Sequence, residues 1–129
     1  VQRQGINGGA AGRRLRMRWI KQLYMGESAE RKKDRIIRGI RESRILLDVY
    51  VFTLPENPED QLDIIPSNWL RQSHYKNREE LTIIGFARGW EEVECVLLAL
   101  VADAMKALGT PDLRSYLKLL LTEKEDVDD

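Results

Sequence analysis

Cysteine and histidine are nearly absent: Cys95 is the only thiol and His74 the only imidazole in 129 residues. A single thiol excludes an internal disulfide, so nothing points to a stapled secreted fold, and the cytoplasm is the expected compartment. One imidazole, with carboxylates such as Asp60 and Asp63, is too thin a ligand set to predict a metal, and no cofactor is expected. No local pattern sets a base beside a nucleophile, so catalysis is not expected either. Long hydrophobic runs are also missing. The longest, Cys95 to Ala102, is eight residues, against the ~20 a membrane-spanning helix requires. There is no internal repeat, zinc knuckle or aromatic RNA-binding signature.

Net charge is absent too, yet charge is abundant, with 21 Lys/Arg against 21 Asp/Glu. The two signs are sorted along the chain. Residues 1–44 hold 13 basic and 4 acidic side chains, whereas residues 45–129 hold 8 and 17. Such asymmetry predicts either a segment that seeks polyanions or packing between complementary parts.

Length and a hydrophobic content of 43% suit one soluble domain with a real core. The Gly-rich residues 1–12 read as a flexible leader and residues 123–129 as an acidic tail. A single globular domain is expected over 13–122, beginning with a basic helical pair over 13–42. In the first helix, Ala10 to Met25, residues Leu15, Trp19, Ile20, Leu23 and Tyr24 share a side, and Gly26 stops it. In the second, Ser28 to Glu42, Ala29, Ile36, Ile37 and Ile40 form a narrow stripe, with Ser28 as cap.

Ile45 to Leu54 and Leu81 to Ala87 are rich in β-branched and aromatic residues and read as interior strands. A short helix is expected between them, over Ile64 to Tyr75. Trp90 to Leu108 reads as a helix ended by Gly109, apolar nearly all round. Its stripes are Val93, Val96, Leu97, Leu100, Val101 and Ala104, and then Cys95, Leu98, Ala102 and Met105, so burial on several sides is expected. Cys95 reads as a packing residue within it. Thr110 is the expected cap of a last helix reaching Leu121. The predicted fold class is a helix-rich α/β domain of order α-α-β-α-β-α-α. Its sheet has two strands, parallel through a βαβ crossover.

Arg13, Arg14, Arg18, Lys21, Arg31, Lys32, Arg35 and Arg38 are the candidate contacts to a polyanion or protein partner. The turn from Gly85 to Trp90 resembles a phosphate cradle only loosely. Its spacing fits no nucleotide fingerprint, and Glu91, Glu92 and Glu94 would repel an anion. Asp48, inside an apolar strand, should face the basic helices or pair with an arginine.

These features predict a non-enzymatic interaction or assembly protein, partnered by a second copy or an acidic protein. Self-association would use a sheet edge or the long helix. The alternative is a sequence-independent nucleic-acid-binding accessory protein using the same cations. A third reading is a small ligand binder or enzyme with a pocket near Asp48, Trp69 and Arg88.

Overall fold

The chain forms more strands than its periodicity predicts. The structure, a computed structural model, describes residues 16–72, 75 and 80–126. In order, its elements are β1 (Arg16–Met25), α1 (Glu27–Arg31), α2 (Lys33–Arg41), β2 (Val49–Thr53) and β3 (Asp63–Pro66). A 3-10 helix (Ser67–Arg71), β4 (Glu80–Arg88), α3 (Trp90–Leu108), α4 (Leu113–Lys124) and the two-residue β5 (Glu125–Asp126) follow. The strands lie in the order β3-β2-β4-β1-β5. Only β1 and β4 are parallel; the other pairs are antiparallel.

The fold class therefore departs from expectation. A mixed sheet of four main strands, with β5 on its edge, replaces the two-stranded parallel one. The two strands foreseen, β2 and β4, are neighbours but antiparallel. The segment between them supplies β3, with Pro66 on an outer strand that can spare a donor, where one helix was expected.

The largest correction is β1, which occupies part of the expected first helix. Met17 and Trp19 alternate onto one core in ordinary strand fashion. Pairing then shifts: from Trp19↔Ile83 to Tyr24↔Gly85, β1 advances five residues while β4 advances two. Across this long bulge Ile20 and Tyr24 keep to the opposite core, as the same alternation requires. With apolar residues on both faces, Trp19, Ile20, Leu23 and Tyr24 imitate a helical stripe. At the bulge the Tyr24 carbonyl lies where any β-carbon on residue 85 would sit, so glycine is required there.

β2 is shorter than expected for a local reason. Asp48 adopts φ +61 in the turn before it, a conformation that aspartate tolerates better than β-branched residues. Asp48 is exposed and not buried in a strand, and its carbonyl accepts the Gly89 N–H at 2.7 Å. Ile45 and Leu47, placed by sequence in the strand, are left outside the sheet and exposed.

The sheet separates two cores. On one face Trp19, Val51, Leu81, Ile83 and Phe86 meet Ala29, Ile36 and Ile40 of α1 and α2. On the other, Ile20, Phe52, Ile84 and Ala87 meet Val93, Val96, Leu100, Ala104, Tyr116 and Leu117 of α3 and α4. Central β4 is buried from Leu81 to Ala87. Burying each large apolar side chain contributes roughly 1.5–3 kcal/mol relative to exposure.

Helix α3 has the predicted bounds and closes at Gly109, φ +74. Its burial differs from expectation. Only the first stripe is covered, while Cys95, Leu98, Ala102 and Met105 are exposed. Helix α4 is capped by Asp112, not Thr110: its carboxylate accepts the Ser115 N–H at 3.2 Å and hydroxyl at 2.7 Å. Gln61 adds a second acceptor for the Leu113 N–H at 2.7 Å. The acidic 123–129 segment begins inside α4 and continues as β5, with 127–129 outside the described residues. The 1–12 leader, Arg13, Arg14 and His74 also lie outside them.

Candidate functional site

Of the eight cations singled out by sequence, the six among the described residues fall into different environments. Arg18 lies on β1, where its Nε is 3.2 Å from the Glu80 carboxylate. Arg31 pairs with Glu27 one helical turn earlier at 3.6 Å. Lys21 stands exposed on the β1 bulge, beside a cleft on the α4 side of the sheet. Lys32, Arg35 and Arg38 stand exposed along α2 and its start. Their side chains have no carboxylate partner among the described residues.

Two of these converge with residues the sequence assigned elsewhere. Lys32, Arg35 and Arg88 line one open groove of about 290 Å³, with Ile36, Ile45, Leu46, Leu47 and Val49. The sequence gap between Arg35 and Arg88 closes because β4 ends against the start of β2, where Val49 pairs with Arg88. The Gly89-to-Asp48 hydrogen bond fixes that junction. The aliphatic wall is unusually open to solvent: Ile45 is 63% and Leu47 80% exposed. The groove thus sets three cations beside a greasy wall. Trp69 does not line it.

Ile45 and Leu47 were missed because an apolar run next to a strand reads as part of it. The one local signal was Asp48, a turn-forming residue interrupting that run. Arg88 was legible only as a residue near Asp48; its approach to α2 depends on strand order.

The glycine turn after β4 holds an anion of its own. Glu92 accepts the Arg88 N–H at 2.9 Å and the Ser28 N–H at 2.7 Å. One carboxylate therefore serves the starts of both α3 and α1. Burial opposes its ionisation, but hydrogen bonds from Ser28, Arg88 and Ala29 outweigh this and hold its carboxyl below the ordinary value of 4.5. A phosphate at this turn would have to displace it.

A second cleft, of about 330 Å³, opens beside the β1 bulge. Inside it the Tyr24 hydroxyl donates to Asp103 at 2.5 Å and lies 2.9 Å from the Tyr116 hydroxyl. Burial, then its bonds to Asp103 and Tyr116, push the Tyr24 hydroxyl far above its ordinary value. It stays protonated and locked, suited to tying β1 to α3 and α4 but not to accepting a proton. Among the described residues, no three His, Cys, Asp or Glu side chains gather as a metal site. No helix among them is long and apolar enough to cross a membrane.

Comparison with known protein families, with curated proteins and with solved structures finds no match to this chain.

Proposed function

We propose that this protein acts by binding and not by catalysis, as an interaction module. Its partners are an acidic protein segment and a second copy of itself. The reading rests on one observation: Lys32, Arg35 and Arg88, from two distant parts of the chain, meet around a groove walled by exposed Ile45 and Leu47. Cations recruit carboxylates over a distance and set the rate of encounter. Aliphatic side chains add affinity only where the partner brings apolar groups of its own. The matching ligand is an acidic peptide carrying Leu- or Val-like anchors.

A nucleic acid would use the cations but leave the aliphatic wall idle, because its affinity comes from phosphate contacts and from stacking on planar groups, not from aliphatic side chains. Among the described residues, none that lines the groove is aromatic.

Fluorescence anisotropy separates these readings. The full chain is titrated against a labelled peptide of alternating Leu and Glu, against poly-glutamate, and against a mixed-sequence oligonucleotide. The Leu–Glu peptide should bind best, and Arg35→Glu with Arg88→Glu should weaken it at least tenfold. Leu47→Ser should weaken the peptide while leaving poly-glutamate unchanged. Preference for the oligonucleotide, or indifference to both charge reversals, would sink the reading.

A further inference from the structure

We infer that two copies of this protein pair through the outer face of α3, the helices running antiparallel about a two-fold axis near Leu100. The inference takes up the self-association proposed above and is independent of the groove, whose helix α2 lies across the sheet.

Three observations carry it. The first is an apolar stripe that no described residue covers. Cys95, Leu98, Ala102 and Met105 repeat at helical spacing, and all are exposed, Leu98 at 70% and Met105 at 46%. The same helix buries Val93, Val96, Leu100 and Ala104 against the sheet, so it is already held in place and the outer stripe is not needed for folding. A stripe of this kind on an otherwise charged surface is the usual mark of a contact site.

The second is symmetry in the order of residues. An isologous contact requires each position to meet its counterpart across the axis. Counting outward from Leu100, Leu98 and Ala102 are equidistant, and so are Cys95 and Met105. Antiparallel pairing therefore sets Leu98 beside the partner's Ala102, and Met105 beside the partner's Cys95. In each layer a long side chain meets a short one, which lets helices approach and interlock.

The third is charge. Glu91 and Glu94 lie at the start of α3 and Lys106 at its end, all exposed. Antiparallel pairing about this axis lays Glu94 of each helix opposite Lys106 of the other and opposes the helix dipoles. Parallel pairing would stack the glutamates of both copies together.

Sedimentation velocity on the full chain tests this, with thermal unfolding confirming the fold of each variant. Wild type should reach a dimer in the micromolar range. Leu98→Asp should raise the dissociation constant at least tenfold without lowering the unfolding temperature of the dilute monomer. Ala102→Glu, a second variant at an exposed site, should do the same. Arg35→Glu should leave the dimer intact, so failure of the groove and failure of this interface are distinguishable.

Orientation is read by a short thiol-to-thiol crosslinker. In the antiparallel pair the two Cys95 thiols are ten residues apart along the axis, about 15 Å at the α-helical rise. Wild type should therefore resist linkage, whereas Met105→Cys places a new thiol beside the partner's Cys95 and should link in high yield. A monomer at all concentrations, a dimer indifferent to Leu98→Asp and Ala102→Glu, or efficient linkage of wild type through Cys95 would each overturn the inference.

Discussion

The two helical layers bury similar aliphatic faces and differ in what they show to water. Helix α2 buries Ile36 and Ile40 and exposes Lys33, Arg35, Arg38 and Arg41. Helix α3 buries Val93, Val96, Leu100 and Ala104 and exposes Leu98 and Met105 as well as charge. A solvated arginine is satisfied by water and waits at little cost for a partner. A solvated Leu–Met stripe gains free energy whenever it is covered. The α2 side is thus suited to salt-dependent, exchangeable contacts, and the α3 side to a standing one.

The sharpest way to break both layers together is at the strand between them. In Gly85→Val the new side chain meets the Tyr24 carbonyl, which is backbone and cannot swing aside. Destabilisation should exceed about 4 kcal/mol, among the largest effects of a point change, and urea unfolding at neutral pH measures it.

Next is a paired truncation that contrasts the layers. Ile36→Ala removes a side chain that is 2% exposed and should cost about 2–5 kcal/mol. Leu98→Ala, at concentrations too low for association, should stay within about 0.5 kcal/mol of wild type, as exposed substitutions do. Equal losses at both positions would erase the proposed difference between the layers.

A smaller loss than that at Ile36 concerns Glu92, which joins the layers by accepting N–H groups at the start of α1 and beside α3. Glu92→Ala should cost about 1–3 kcal/mol at neutral pH, since two donors lose their acceptor. The folded carboxyl titrates below the unfolded value of 4.5. Its contribution is therefore complete above that value and vanishes as pH falls through the folded one. Stability curves of wild type and Glu92→Ala should converge in acid; a constant gap down to the lowest pH would show that Glu92 acts by packing alone.

How far these features were legible varied by element. Helix α3 was read to its bounds because nineteen residues without Pro or Gly, closed by Gly109, leave one local solution. Strand β4 was equally plain, since a strand covered on both faces needs no polar alternation. Strand β1 was misread because both its faces are buried, so Trp19, Ile20, Leu23 and Tyr24 lack the polar alternation of a half-exposed strand, and the helices that cover its second face come from far along the chain. β3 is only four residues long and is held by pairing with β2, not by its own propensity. Of the candidate groove, the α2 cations were visible in the sequence. Arg88 and the exposure of Leu47 were not.

The sequence by itself determined which segments are apolar, where the long helix begins and ends, and that cations gather early and carboxylates late. Those properties follow from residue type and spacing within a few turns of chain. Only the tertiary structure decided that Arg16–Met25 is a strand, that Arg35 and Arg88 share a groove, and that the outer stripe of α3 meets water. Each depends on which strand lies beside which, and strand order is set by long-range pairing that no local period encodes.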